Sequence, residues 1–200
     1  MTELLGSASA AAAVFAATNL DDIVVLTVLF VAARGTGRPR PWQIVTGQYL
    51  GIAALVAAGV VVAAGLLVVP DPWTGLLGLL PIALGVRALL TSTDDGAPPA
   101  VVGGLLGVAG VTIANGADNI AVYVPVFRSL DPGTGLVYLL VFAALVAVWC
   151  GAAALLGGHP RVVRLVGRAG HWLVPAIFIA IGLVILIGSG VLGRLAEHAG

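Results

Sequence analysis

Six long apolar segments, separated by short polar or proline-rich connections, make up most of the chain. Their approximate bounds are 5–33, 43–69, 74–92, 100–127, 135–157 and 172–193. A helix needs roughly 20 apolar residues to cross a bilayer, and its lipid-facing backbone groups must find hydrogen-bond partners within the same segment. The alternating pattern of about 10 residues that membrane β-strands show is absent from these segments. The pattern therefore predicts an all-α membrane protein with six transmembrane helices.

Composition supports the same class. The 200 residues are 60% apolar and 9% charged, whereas an ordinary soluble domain carries about 25% charged residues. The formal net charge is zero and the sequence contains no lysine, so nothing indicates a nucleic-acid partner. The first apolar segment has two aspartates and no basic leader, and we interpret it as a span rather than a signal peptide.

Arginines are concentrated in and beside the first, third and fifth connections. Those on this side are Arg34, Arg38, Arg40, Arg87, Arg161, Arg164 and Arg168. The other side carries Arg128 and Arg194. Because short cytoplasmic loops hold the excess of positive charge, we expect a multi-pass protein of the cell membrane with both termini outside.

The chain matches itself when it is shifted by 97 residues. Ala17–Ile23 then falls on Ala114–Ile120, with identical residues at three positions. The same shift lays Ile82–Gly85 on Ile179–Gly182. Two matches at one offset indicate an internal repeat, which is common among membrane transporters.

The repeat divides the chain into residues 1–99 and 100–200, with three spans in each half. Because three is an odd number, the second half must enter the membrane in the opposite orientation. The expected fold is therefore six transmembrane helices arranged as two inverted three-helix repeats in one membrane unit. Substrate sites in such folds lie near the bilayer midplane at the repeat interface.

Polar residues form two clusters inside the first and fourth spans. The candidate site residues are Thr18, Asn19, Asp21, Asp22, Asn115, Asp118 and Asn119. An aspartate at the centre of a spanning helix costs about 2.5–3.5 kcal/mol on insertion scales and is a functional candidate by default. Residues i, i+3 and i+4 share a helix face, so Thr18, Asp21 and Asp22 should form one polar stripe. The equivalent residues of the second cluster, Asn115, Asp118 and Asn119, should form a second polar stripe that pairs with the first.

These side chains have the chemistry of a cation site. No arginine lies at matching depth to neutralise the carboxylates, so a bound cation, a proton or mutual hydrogen bonds must compensate them. Carboxylate, amide and hydroxyl oxygens suit Mg²⁺, Ca²⁺ or Mn²⁺, and Cd²⁺ also accepts oxygen ligands. We expect a transported divalent cation here and no separate cofactor.

Gly116, beside Asn115, has two interpretations. With Pro125 it could break the fourth helix and free backbone carbonyls as ligands, or it could only allow close helix packing.

The second span offers further polar candidates. Gln48 and Tyr49 could line the same cavity, while Gly47 and Gly51, four residues apart, could equally be there for helix packing. Cys150, the single cysteine, fits a small apolar residue better than a sulfur ligand.

The sequence resembles the cadmium resistance transporter family, a group of membrane exporters in the lysine-exporter superfamily. The resemblance lies in Ala17–Thr27, Gly47–Gly51, Leu76–Gly85 and Val111–Pro125. It implies export of a divalent cation, cadmium being the ion that names the family, and kinship with manganese exporters whose first and fourth helices are acidic.

Two departures from the family pattern bear on the ion. Asp21 and Asp22 are paired where some members carry one acid, and Ala114 and Asn115 stand where some carry Ser-Cys. Loss of that thiol makes the site harder, which favours manganese or another hard ion over cadmium.

Two other functions remain as alternatives. An amino-acid exporter would need a basic residue or a helix N-terminus for the substrate carboxylate, and the spans lack basic residues. An intramembrane aspartyl enzyme could share one proton between Asp21 and Asp118, but no separate nucleophile is present.

Transport energetics and assembly stay open at this level. A negative potential inside opposes cation export by about 2.3 kcal/mol per charge per 100 mV. We therefore expect proton antiport, with transport driven by the potential alone as the other option. A homodimer in the lipid bilayer is one possible assembly.

Overall fold

The structure is a computed structural model, and it describes residues 2–68, 71–90, 104–116, 119–157, 160–191 and 194. This part of the chain is helical, with no β-strand in it. The helices are α1 (Thr2–Asn19), α2 (Asp22–Thr36), α3 (Pro41–Gly65), α4 (Asp71–Thr74), α5 (Leu79–Leu90), α6 (Leu105–Asn115), α7 (Ile120–Ser129), α8 (Pro132–Leu156) and α9 (Pro160–Gly188). Short 3₁₀ turns cover Leu66–Val68 and Gly75–Gly78.

The helix lengths support part of the predicted membrane topology. α3 and α8, with 25 residues each, are long and apolar enough to cross a bilayer. α1 with α2, and α6 with α7, qualify only as pairs that are bent by 63° and 77° at their junctions. The described residues therefore contain two to four candidate spans. The predicted third and sixth spans appear as shorter apolar helices, Gly75–Arg87 and Pro175–Gly188.

The first predicted span is broken in its middle, between α1 and α2. The Asp21 carboxylate accepts a hydrogen bond from the backbone N–H of Asp22 at 3.0 Å and caps α2. At the end of α1, the Asn19 amide donates to the carbonyl oxygen of Phe15 at 2.9 Å. Side chains of this kind compete with helical hydrogen bonds and favour helix ends. The prediction of one continuous helical stripe through Thr18, Asp21 and Asp22 is therefore wrong.

The fourth predicted span is also interrupted, since α6 ends at Asn115 and α7 begins at Ile120. Pro125 lies inside α7 and not at the break, and the release of backbone carbonyls as ligands stays a prediction. The break itself and close helix packing are both found at Gly116. It follows the last residue of α6, and a Cβ at this position would lie 2.5 Å from Cδ1 of Leu55 and 2.9 Å from Nδ2 of Asn119. The break and the close packing therefore occur at the same residue.

Glycines bring α3 close to α6 and α7. The facing pairs are Gly47 with Val108, Gly51 with Thr112, and Gly59 with Tyr123. A Cβ at any of the three glycines would lie 2.5–2.8 Å from a side-chain carbon of its partner, well inside the 3.5–4.0 Å at which carbon atoms pack. α8 in turn packs against α1 and α2.

An aromatic cluster fills the space where α1, α7 and α8 meet. Its members are Phe15, Tyr123, Phe127, Tyr138, Phe142 and Trp149, with ring centroids 5.2–6.3 Å apart. Most pairs are edge-to-face, which is a favoured geometry for aromatic rings. The polar groups at the end of α1 therefore lie against a packed aromatic wall.

Candidate metal-binding site

The two helix breaks face each other and bring the polar side chains together inside the bundle. Six of these polar residues have at most 4% of their surface exposed: Thr18, Asn19, Asp22, Gln48, Thr112 and Asn119. Asp21 is exposed and Asn115 is half-buried. Polar groups buried this deeply need hydrogen-bond partners, and in this structure they form two networks.

The first network surrounds the carboxylate of Asp22 and is called here the acidic network. Asn115 Nδ2 donates to Asp22 Oδ1 at 2.6 Å and to Asp21 Oδ2 at 3.1 Å. From α3, Gln48 Nε2 donates to Asp22 Oδ2 at 2.6 Å. Thr112 Oγ1 donates to Gln48 Oε1, also at 2.6 Å. Both carboxylate oxygens of Asp22 therefore accept a hydrogen bond from a side-chain amide.

The second network carries no carboxylate and is called here the neutral network. Asn119 Nδ2 donates to Asn19 Oδ1 at 3.3 Å. Asn19 Nδ2 lies 2.7 Å from Thr18 Oγ1 and 3.2 Å from the hydroxyl of Tyr123. The Thr18 and Tyr123 hydroxyls are 3.3 Å apart. Because Thr18 also donates to the carbonyl oxygen of Val14 at 3.0 Å, its oxygen is free to accept from Tyr123.

A tryptophan from α8 holds the end of α1 in place. Trp149 Nε1 donates to the backbone carbonyl oxygen of Asn19 at 2.7 Å. Carbonyls in the last turn of a helix lack an intrahelical partner, and an unpaired one inside a membrane protein is costly. The indole therefore stabilises the break.

The structure brings most of the predicted site residues together. Asp21, Asp22 and Asn115 meet in the acidic network, and Gln48 joins them. Thr18, Asn19 and Asn119 meet in the neutral network. Asp118, the third predicted carboxylate, lies outside the described residues.

Tyr49, the other residue suggested for the pathway, lies elsewhere. Its hydroxyl donates to the carbonyl oxygen of Ala143 at 2.8 Å, and its ring lines an apolar groove between α3 and α8. The interpretation of Tyr49 as a neighbour of the polar site is therefore corrected, because successive residues of a helix point about 100° apart.

Three residues of the site were not singled out from the sequence. Thr112 lies three residues before Asn115, and Tyr123 lies four residues after Asn119, so helical spacing could have indicated both. Trp149 gives a weaker signal. It sits well inside an apolar segment, whereas membrane tryptophans are enriched at the two interfaces.

The site contains carboxylate and amide oxygens, which hard cations prefer, but its amides point their nitrogen atoms and not their oxygen atoms at the carboxylates. Among the described residues, no group of three or more His, Cys, Asp or Glu side chains is placed to hold a metal ion. The acidic network offers the carboxylates of Asp21 and Asp22, while Asn115 and Gln48 direct N–H groups at them. A cation bound there would draw on carboxylate oxygens first.

Comparison with known proteins identifies a family for this chain. A family model described as cadmium resistance transporter matches residues 15–197, a range that contains both networks. Neither a curated protein nor a solved structure matches the chain.

Proposed function

This chain belongs to the cadmium resistance transporter family, and from that premise we propose that it exports a divalent metal cation through the site between the two helix breaks. The observation that carries the proposal is the Asp22 carboxylate, which is 3% exposed and held by the side-chain amides of Asn115 and Gln48. A buried carboxylate is costly unless it is compensated, and a transported cation supplies that compensation during each cycle.

The proposed ligands come from both helix breaks. The acidic network contributes Asp21, Asp22 and Asn115. Asp118, which lies 97 positions after Asp21 and is its equivalent in the repeat, would add a third carboxylate. The neutral network adds hydroxyl and amide oxygens from Thr18, Asn19 and Asn119. Oxygen ligands of this kind favour Mn²⁺ and other hard divalent cations, and they also accept Cd²⁺.

We further propose that the six predicted spans form two inverted repeats, and the helix breaks support this arrangement. α1 ends at residue 19 and α6 at residue 115, which is 96 positions later. α2 begins at residue 22 and α7 at residue 120, which is 98 positions later. Both differences lie within one residue of the 97-residue offset read from the sequence.

The contact between α5 and α9 also supports a two-fold relation. α9 on one side, and α5 with the 3₁₀ turn before it on the other, each present a glycine to a backbone carbonyl and an isoleucine of the other. The four contacts are Gly182 with the carbonyl oxygen of Gly78 and with Ile82, and Gly85 with the carbonyl oxygen of Pro175 and with Ile179. Adding 97 to positions 78, 82 and 85 gives 175, 179 and 182, so the offset exchanges the two halves of the contact.

The remaining packing follows the same exchange. α3, from the first half, packs against α6 and α7 of the second, and α8, from the second half, packs against α1 and α2 of the first. Each broken helix pair is therefore held by the long helix of the other half. Rocking of one half against the other would change access to the site from the two sides of the membrane.

The finer features of transport belong to the same proposal. The arginine distribution favours the cell membrane with both termini outside, and export against a negative inside potential favours proton antiport. A homodimer is compatible with this arrangement. The family is one of transporters, which argues against the aspartyl-enzyme alternative.

Reconstituted transport tests the proposal. Purified protein in liposomes is assayed for Cd²⁺, Mn²⁺, Zn²⁺ and Ca²⁺ movement, for wild type and for Asp21→Asn, Asp22→Asn and Asp118→Asn. We expect all three variants to lose most of the activity, with Asp131→Asn, an exposed aspartate at the start of α8, as the matched control. Normal transport by all three variants would refute the site, and metal-independent amino-acid transport would refute the ion.

A further inference from the structure

Gln48 is a buried amide whose two ends have different partners. Only 2% of the residue is exposed. Its Nε2 donates to Asp22 Oδ2, and its Oε1 accepts from Thr112 Oγ1, both at 2.6 Å. The neighbouring glycines, Gly47 and Gly51, pack α3 tightly against α6, so the side chain has a fixed position between α2 and α6.

A divalent cation on Asp22 is incompatible with this orientation of the amide. The N–H groups carry the positive end of the amide dipole, and a cation a few ångströms away repels them. Hard divalent cations are bound by oxygen, including the carbonyl oxygen of Gln side chains. Rotation of the planar amide by about 180° exchanges its nitrogen and oxygen with little change in shape, because this terminal torsion is broad and roughly two-fold.

Thr112 has a hydrogen bond available for each orientation of the Gln48 amide. Its hydroxyl lies 2.6 Å from Gln48 Oε1 and 3.1 Å from the carbonyl oxygen of Val108. A hydroxyl has one proton to donate and two lone pairs to accept with. After the rotation, Thr112 can donate to Val108 and accept from Gln48 Nε2. The end of the Gln48 amide that faces Thr112 therefore has a hydrogen-bond partner in both orientations. This keeps the free-energy cost of the rotation small.

From this geometry we infer that Gln48 is an additional ligand of the transported cation, and that Thr112 is the positioning residue that holds its amide in both orientations. In one orientation the amide N–H neutralises part of the Asp22 charge. In the other, Oε1 completes the oxygen shell around the ion. This inference rests on the proposed function and adds to it a neutral ligand from α3.

The amide of Gln48 can be observed directly, because the sequence contains two glutamines, Gln43 and Gln48. Gln43 caps α3 through its side-chain oxygen, which accepts from the backbone N–H of Arg40 at 2.8 Å. Glutamate serves in the same capping role. Gln43→Glu therefore leaves Gln48 as the single site for a ¹³C label in the glutamine side-chain carbonyl.

The experiment measures the labelled carbonyl stretch by isotope-edited infrared spectroscopy, with bound Cd²⁺ quantified on the same sample. We expect Cd²⁺ to shift the band in the Gln43→Glu protein and to leave it unmoved when Asp22→Asn is added. Stoichiometric Cd²⁺ with an unmoved band would overturn the ligand role while the proposed function survives. Absence of bound Cd²⁺, and of bound Mn²⁺ in a parallel sample, would instead remove the proposed function and this inference with it.

The role of Thr112 has a matched control in Thr27. Thr27 is equally buried, and its hydroxyl donates to the carbonyl oxygen of Ile23 at 2.6 Å. Thr112→Val leaves the rotated Gln48 amide with an N–H against a methyl group, so we expect Cd²⁺ to bind about threefold to tenfold more weakly. Thr112→Ser should retain wild-type binding, and Thr27→Val should not change it. Equal Cd²⁺ affinity in Thr112→Val and Thr27→Val would overturn the positioning role.

Discussion

Gly51 marks a point of close approach between α3 and α6, and Gly51→Ala tests how much the site depends on it. The new Cβ would lie 2.5 Å from both Cβ and Cγ2 of Thr112 and 3.1 Å from the carbonyl oxygen of Ala109. Carbon atoms pack at 3.5–4.0 Å, so the helices must separate by about 1 Å or Thr112 must leave its rotamer. Overpacking of this kind costs about 1–3 kcal/mol. The better helix propensity of alanine returns about 1 kcal/mol of that.

The net destabilisation should therefore be about 1 kcal/mol, with a second effect on the site. Thr112 holds Gln48 at 2.6 Å, and Gln48 holds Asp22 at the same distance. A displacement of about 1 Å is enough to break both hydrogen bonds, because their geometry weakens steeply with distance and angle. We expect Gly51→Ala to weaken metal binding as well as lower the melting temperature.

The assay compares Gly51→Ala with Gly151→Ala in detergent, following unfolding by tryptophan fluorescence. Gly151 lies at an exposed position of α8, where a Cβ would meet nothing within 4 Å. For a chain of this size, 1 kcal/mol corresponds to a shift in melting temperature of about 2–4 °C. The Gly51 variant should melt lower by that amount and the Gly151 variant should not. Identical melting temperatures and metal affinities would refute the close approach of α3 to α6.

Three further predictions concern other parts of the molecule. Trp149→Phe keeps an aromatic ring but removes the N–H that binds the carbonyl of Asn19, so we expect about 1–3 kcal/mol lower stability and slower transport, measured by melting and by liposome flux. Gly182→Ala places a methyl group against a backbone carbonyl of the 3₁₀ turn before α5, which cannot rotate away, and it should lower the melting temperature more than Gly51→Ala does. Hydrogen bonds from Thr134 and the nearby backbone lower the pKa of Asp131, so its carboxylate stabilises the start of α8 above the ordinary Asp pKa and loses this effect as pH falls through the lowered value. The melting-temperature gap between wild type and Asp131→Ala should be present at neutral pH and close on acidification.

The sequence predicts the helical class and the site better than it predicts where helices end. Apolar length and the costly aspartates lead directly to both polar clusters. The sequence offers a break in the fourth span as one of two interpretations, because Gly116 and Pro125 are helix breakers. The break in the first span has neither residue type. It depends on Asn19 and Asp21 acting as end groups, which a helical pattern alone does not reveal.

Gln48 and Tyr49 show which side-chain contacts a single sequence can and cannot assign. Their adjacent positions in α3 predict the same role for both, yet Gln48 lies in the acidic network and Tyr49 faces α8. Gly47 and Gly51 identify the face of α3 that approaches another helix, and Gln48 lies on that face while Tyr49 does not. The sequence pattern does not show which helix packs against that face. The tertiary structure does, and it places Gln48 within hydrogen-bond distance of Asp22.

The amide partners of Asp22 bear on how a buried carboxylate could accept a cation under the proposed function. An arginine in the same place would form a charge-assisted pair with two parallel hydrogen bonds, and an incoming ion would have to displace a full charge. The amides of Asn115 and Gln48 lower the cost of burial by single dipolar hydrogen bonds and add no charge of their own. Because an amide carries an oxygen beside its nitrogen, the group that stabilises the carboxylate in one orientation would become an ion ligand in the other, as inferred above for Gln48. Under the proposed function, a site built in this way would bind and release its cation through local rotations of these amides.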